Sequence, residues 1–214
     1  MMTTSDRVSD RKALRRELTD LALVLMAERG TMIGKADLVA HTRTSRARID
    51  ELFPEESDLF DAAVEQWYAA DVAIMEEVIA SSLPVQRKFF EFFARRFRIE
   101  VERFRQDPAL FALCVELGTE RFEQVRGYID LADHYLSVLI AEAQAEGYLP
   151  GLSIDRALTL INQMVVCYTS PQMLMLLSER LSEDKLACII DTVFAGLAGG
   201  DRGAIGVTGL RVAS

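Results

Sequence analysis

Two arginines, Arg46 and Arg48, are the residues best suited by type and spacing to contact another molecule. Ser45 precedes them in the position of an N-cap, whose hydroxyl accepts a hydrogen bond from the first free amides of a helix. Ile49 and Phe53 recur at helical i, i+4 spacing, so the arginines must point away from the buried face. A guanidinium can fork onto O6 and N7 of guanine, and a basic helix can enter a DNA major groove. The alternative is a solvated helix face without a ligand.

A second short helix is expected immediately before the arginine-bearing one. It starts at Lys35 and carries the apolar pair Leu38 and Val39, and the polar residues 42–44 that follow contain nothing that would prolong it. Two short helices joined by a turn of a few residues predict a helix-turn-helix. The basic side chains of this segment could contact phosphate or bases. The alternative is that they lie on a solvated surface without a ligand. The candidate DNA-contacting residues are Lys35, Arg43, Thr44, Ser45, Arg46 and Arg48.

An amphipathic helix must support this pair. From Asp10 onward, leucines recur at spacings of three, four and seven until Gly30, a residue that commonly ends helices. The apolar stripe of this helix would pack against the two short helices. The three together have the size of a small DNA-binding domain.

The charge distribution modifies what the formal net charge of −9 suggests. An acidic chain should repel nucleic acid, because affinity for phosphate comes from lysine and arginine displacing counterions. Residues 1–56 are neutral, however, with ten basic and ten acidic side chains. Between Lys35 and Arg48 there are four basic residues and one acidic residue. A basic patch on an acidic body can orient the protein on DNA.

The remaining pattern predicts helices only, because no segment alternates with period two over a convincing length. A long helix should run from about residue 57 to residue 81, and Ser170-Pro171 should bend or break a later one. We therefore predict an all-α protein of about nine helices. Residues 1–56 would form the DNA-binding domain, residues 57–198 an all-α effector-binding and dimerisation domain, and residues 199–214 a flexible tail.

Several classes of protein are disfavoured. The three cysteines at positions 114, 167 and 188 are scattered, which indicates buried thiols in a reducing cytoplasm. No signal peptide is evident, and no run of about 18 apolar residues would span a membrane. The two histidines, His41 and His134, fall in different predicted domains, and no catalytic or metal-binding motif is present. We expect a cytoplasmic protein that is not an enzyme, with no cofactor and no metal.

A small-molecule site would need an apolar interior with a few polar groups. The phenylalanine-rich run 89–104 could line such a site or could be plain core. Polar residues within apolar helices are further candidates, since their burial costs free energy without a partner. The alternatives for them are hydrogen bonds within the core and a place in the dimer interface. The candidate ligand-binding residues are Phe93, Phe97, Glu116, Tyr135, Gln163, Cys167 and Tyr168.

The organisation resembles the TetR family of bacterial transcriptional regulators. The resemblance is densest over residues 14–68, through LTDLALVLMAERG, the two short helices, Ser45, Phe53-Pro54 and Leu59, and ends at IIDTVFAGL. It implies a homodimer that reads a palindromic double-stranded operator through the N-terminal helix-turn-helix. It also implies a C-terminal domain that binds a small effector and dimerises through its last two helices. The interior suggests an apolar or aromatic effector, which would release a repressor from DNA.

Three residues depart from the family pattern. Arg43 replaces the usual glycine of the turn, Asp50 replaces a tyrosine that reaches phosphate, and Glu56 replaces a frequent lysine. Carboxylates at positions 50 and 56 are expected to oppose the DNA backbone, whereas Arg43 adds a charge. The alternative function is therefore an effector-binding or protein-interaction module of the same fold with weak or lost operator binding.

Overall fold

The computed structural model describes residues 4–199, with side chains described for residues 9–198. Ten α-helices and two short 3-10 turns lie in this part of the chain, and no strand does. The all-α class is confirmed, with ten helices in residues 4–199 against about nine predicted. The helices are α1 Thr4–Arg29, α2 Lys35–His41, α3 Arg46–Leu52, α4 Ser57–Ala80, α5 Val85–Gln106, α6 Pro108–Glu120, α7 Phe122–Ala145, α8 Ile154–Thr169, α9 Pro171–Leu177 and α10 Glu183–Gly196.

Local signals explain most of these bounds. Gly30 follows α1 with φ +63°, a left-handed conformation that favours glycine, and its N–H donates to the carbonyl of Met26. Ser170 caps α9 and Pro171 begins it, so the predicted break in this segment is confirmed. Gly118 does not end α6 as its type suggests. The helix continues through it to Glu120, and the break falls at Arg121.

The described residues form two compact units. Unit 1 comprises the chain up to Val72 together with Arg103–Tyr128, and unit 2 comprises Ala73–Glu102 and the chain from Ile129. The division falls within α4, α5 and α7. The functional boundary expected at residue 56 stays a prediction. Of the expected tail 199–214, only Gly199 belongs to the described residues, and the rest lies outside them.

The core of unit 1 joins α1 to the two short helices and to the start of α4. Full burial of one large apolar side chain stabilises a fold by about 1.5–3 kcal/mol. The apolar side chains of this core therefore determine the position of α3 within unit 1. Leu38 of α2, Ile49 of α3 and Phe53 after it are completely buried. Their partners in this core are Leu18, Ala22, Leu25, Met26, Ile33, Leu52, Leu59, Phe60, Ala62 and Leu117.

A buried ion pair also joins α4 to α5 within unit 1. Asp71 is only 1% exposed, and its Oδ2 lies 3.1 Å from Nη1 of Arg103. Arg103 also donates from Nη2 to the carbonyl of Trp67 and lies over the indole ring, 4.8 Å from its centroid. The guanidinium thus neutralises a buried carboxylate and packs on an aromatic side chain.

The phenylalanine-rich run supplies much of the core of unit 2. Phe89, Phe92 and Phe93 are buried, and the ring of Phe89 meets Phe194 edge-on at 5.1 Å. Lys88 is also buried, and its ammonium donates to the carbonyl of Ile79 and to both carboxylate oxygens of Glu142. Of the two interpretations of the phenylalanine-rich run, plain core therefore fits most of its residues.

Two further expectations from the sequence concern membrane-spanning helices and the burial of the cysteines. Among the described residues, no helix is both long and apolar enough to cross a membrane. The three cysteines are free, but Cys114 and Cys167 are half-buried and Cys188 is exposed on α10, so the expectation of buried thiols is wrong. The neighbouring apolar residues Leu186 and Ile190 take the inward positions of that helix, which leaves position 188 outside.

Candidate nucleic-acid interface

Helix α3 begins as the sequence predicts. The hydroxyl of Ser45 accepts a hydrogen bond from the N–H of Arg48 at 3.3 Å, so Ser45 is the N-cap. In the preceding turn, the hydroxyl of Thr42 accepts from the N–H of Thr44 at 3.2 Å. Ile49 anchors the inner face of α3. The helix-turn-helix geometry is thereby fixed by local hydrogen bonds on one side and by the core on the other.

Lys35 does not lie on the outer surface. Its side chain is 8% exposed, and its ammonium donates to the carbonyls of Phe53 and Pro54, each at 3.0 Å, and lies 3.1 Å from Oδ1 of Asp50. Three acceptors match the three N–H donors of an ammonium. Lys35 therefore ties the start of α2 to the end of α3, and its charge is used inside the unit.

Asp50 holds a second cation as well. Nε of Arg46 lies 3.1 Å from Oδ2 of Asp50, one helical turn away. The hydrogen bond from Lys35, and then that from Arg46, lower the pKa of Asp50, so it is a carboxylate at neutral pH. Its charge is shared between a buried ammonium and an exposed guanidinium.

Glu56, the other acidic departure, also contacts Lys35. Oε2 of Glu56 accepts a hydrogen bond from the backbone N–H of Lys35 at 3.2 Å. This amide lies in the first turn of α2, where a negative charge is favourable. From the sequence alone, Asp50 and Glu56 are expected to oppose DNA. In the structure, both carboxylates bind groups of the helix-turn-helix itself.

The second arginine of α3 is paired differently. Nη1 of Arg48 lies 2.5 Å from Oε2 of Glu51, and this contact lowers the pKa of Glu51. The backbone carbonyl of Glu51 also accepts a hydrogen bond from Arg11 of α1, 40 residues away. Sequence reasoning missed this last contact, because nothing in the local pattern of either helix indicates it.

Arg43 is the most available cation of the turn. It is exposed, and no hydrogen bond or ion pair links it to another residue in the described part of the chain. Thr44, beside it, is half-buried and takes part in the turn. Arg43, Ser45 and Arg46 are the exposed members of the predicted set, Arg48 and Thr44 are half-buried, and Lys35 is buried.

The predicted ligand-binding residues are only partly brought together. Phe97 and Tyr168 are buried and their rings meet edge-on at 5.0 Å, while the hydroxyl of Tyr168 donates to the carbonyl of Ser182. Burial, more than any other cause, raises the pKa of Tyr168. Phe93 is buried nearby on α5, one turn before Phe97, and Cys167 is half-buried.

The other three candidates have different surroundings. Gln163 is exposed on α8, and Glu116 is exposed on α6 and belongs to unit 1. The hydroxyl of Tyr135 donates to Oε1 of Glu76 at 3.1 Å. Desolvation, with a smaller contribution from Glu76, raises the pKa of Tyr135. A polar type in an apolar sequence context therefore identified a buried residue at Tyr168, but not at Gln163 or Glu116.

Comparison with known proteins gives a family match over part of the chain. No curated protein matches the chain. Residues 86–190 match a family model described as "Tetracyclin repressor-like, C-terminal domain". That match follows a helix-turn-helix with a serine-capped, arginine-bearing second helix. This match confirms the resemblance drawn from the sequence and supports a TetR-type regulator.

Proposed function

We propose that this protein is a dimeric, ligand-responsive repressor that binds a palindromic DNA operator and is released by a small organic effector. The observation that carries the proposal is the Ser45-capped helix α3, whose first residue, Arg46, is 57% exposed. The N-terminal residues of a recognition helix are those that contact base edges. Arg43 and Ser45, both exposed, would contact phosphate before that helix.

Lys35 has an indirect role in this proposal. Its buried ammonium holds the end of α3 and the carboxylate of Asp50, so it shapes the DNA-contacting surface without touching DNA. Arg48 and Thr44 remain in the proposed contact set at its edge, because each is half-buried.

A homodimer is proposed through unit 2. Helices α8 and α9 carry apolar side chains on the outside, and Leu176 is 77% exposed and Val166 is 44% exposed. Met164 and Met173 add to this apolar surface. A two-fold dimer would place two α3 helices in successive major grooves, about 34–36 Å apart.

The effector site is proposed around the buried aromatic residues of unit 2, Phe93, Phe97 and Tyr168, with Cys167 beside them. Such surroundings favour an apolar or aromatic molecule over a charged one. To release DNA, the effector must bind more tightly to a state in which the two recognition helices no longer match the grooves.

The alternative is a module of the same fold with weak or lost operator binding. The ion pairs of Arg46 with Asp50 and of Arg48 with Glu51 favour it. Any phosphate that approaches α3 must compete with these carboxylates, and affinity for DNA depends on the net number of phosphates neutralised.

A mobility-shift titration distinguishes these functions. The probe is the DNA flanking the gene, at two salt concentrations, and the variants are Arg46→Ala and Arg48→Ala. If the protein is a repressor, it should bind the probe specifically, and its affinity should fall steeply with rising salt. Both substitutions should also reduce that affinity. Arg180→Ala, which removes an exposed guanidinium from unit 2, is the matched control and should bind as the wild type does. A folded dimer that binds no DNA at low salt would establish the alternative.

A further inference from the structure

We propose that Arg46 is the guanine-reading side chain of this regulator and that Asp50, held by the buried Lys35, is the positioning residue that makes the reading selective. The inference rests on the proposed DNA-binding function and assigns its specificity. It predicts one fixed guanine in each operator half-site.

The two arginines of α3 differ in which nitrogen is engaged. Arg46 contacts Asp50 through Nε, and neither of its Nη atoms is hydrogen-bonded to another residue within the described chain. Arg48 contacts Glu51 through Nη1. A guanidinium needs two adjacent donors to fork onto O6 and N7 of guanine. The end-on pair Nη1 and Nη2 is available in Arg46. In Arg48, Nη1 is engaged, which leaves only the side edge formed by Nε and Nη2.

Exposure and position support the same choice. The side chain of Arg46 is 57% exposed and that of Arg48 is 36% exposed. Arg46 is also the first residue of α3, the end of a recognition helix that reaches base edges. Arg48 is left to contribute general attraction to phosphate.

The position of Asp50 is fixed from inside the unit. The ammonium of Lys35 is pinned by the carbonyls of Phe53 and Pro54, and it holds Oδ1 of Asp50 at 3.1 Å. Oδ2 then holds Nε of Arg46 at 3.1 Å. An arginine that is already ordered loses less side-chain freedom when it binds a base. The contacts of Asp50 with Lys35 and with Arg46 therefore hold the Arg46 side chain in one geometry before DNA binds.

The same carboxylate reduces binding to the wrong sequence. A negative charge beside the contact opposes phosphate at every site, but only a correctly placed guanine gains the forked hydrogen bonds. Specificity is the difference between these two free energies, and a repulsive element increases it. Asp50 should thus lower affinity for all DNA and raise the ratio of specific to non-specific binding.

The test is selection of bound duplexes from a random-sequence pool, followed by titration of the selected site with guanine or adenine at the fixed position. The wild type should prefer guanine by about tenfold to hundredfold. Arg46→Gln should abolish that preference, whereas Arg48→Gln, which removes the same charge, should keep it. A guanine preference that survives Arg46→Gln, or one that Arg48→Gln removes, would overturn the assignment.

The role of Asp50 has its own matched pair. Asp50→Asn and Glu51→Gln each remove one negative charge and should each raise affinity for a duplex without the fixed guanine by about fivefold at low salt. Only Asp50→Asn should reduce the guanine preference. Equal preferences in both variants would refute the positioning role. If the wild-type dimer enriches no sequence, the proposed function fails and this inference fails with it; enrichment without the expected guanine contradicts the inference alone.

Discussion

Replacing Arg103 by methionine should destabilise unit 1 by about 3 kcal/mol. Asp71 faces this guanidinium with a side chain that is 2% exposed, and removal of one partner from a buried ion pair costs about 3–5 kcal/mol. Arg103 itself is 20% exposed, so water can reach part of the site and the lower end of that range applies. Methionine removes the guanidinium that lies over the ring of Trp67 but keeps a flexible apolar side chain that can fill the space.

The assay is urea unfolding followed by fluorescence and circular dichroism. Trp67 is the single tryptophan and lies in unit 1, so its emission reports on the unit that contains the ion pair. At an m-value of roughly 2–3 kcal/mol per molar urea, the expected loss lowers the midpoint by about 1 M. Arg105→Met, an exposed arginine two residues further along α5, should change stability by less than about 0.5 kcal/mol.

A double variant separates the charge from the packing. Asp71→Asn with Arg103→Met should recover at least about 1 kcal/mol relative to Arg103→Met alone, because a neutral amide costs less to bury than a carboxylate. An Arg103→Met variant as stable as Arg105→Met would show that the ion pair does not stabilise unit 1. A double variant less stable than Arg103→Met alone would show that the buried charge of Asp71 is not the cause of the loss.

Three further changes test other elements. Ser45→Ala should cost about 1 kcal/mol and weaken DNA binding, whereas Ser153→Ala, which removes the equivalent cap of α8, should cost as much and leave DNA binding unchanged. Lys88→Met should cost about 2 kcal/mol in urea unfolding, because the ammonium is buried and donates to three oxygens; a loss below about 0.5 kcal/mol would contradict this. Arg98 lowers the pKa of Glu183 below its ordinary 4.5, so the pair stabilises the fold above that pH and this stability is lost as pH falls through the lowered value. Both side chains are more than one-third exposed, so Glu183→Gln should cost less than about 1 kcal/mol at pH 7 and nothing in strong acid.

The helices and their caps could be predicted because their causes are local. Ser45, Ser153 and Ser182 each accept a hydrogen bond from an amide three residues ahead, and serine followed by an apolar periodic segment indicates this arrangement. The break at Ser170-Pro171 has the same local character. Gly118 shows the limit of such rules. Glycine is tolerated within a helix at a modest cost, so its type alone could not locate the end of α6.

The site required contacts that no local pattern contains. Lys35 lies 15 residues before Asp50 and 21 before Glu56, and only the fold brings both carboxylates to it. A sequence reading counts Lys35 as a cation for DNA and both carboxylates as obstacles to it. In the folded unit the ammonium is hydrogen-bonded internally and one carboxylate holds Nε of Arg46. In the proposed regulator, the same carboxylate would lower affinity for all DNA and would help to select among sequences. Net charge over a segment therefore predicts attraction to phosphate, but the pairing of each charge decides whether the recognition helix discriminates.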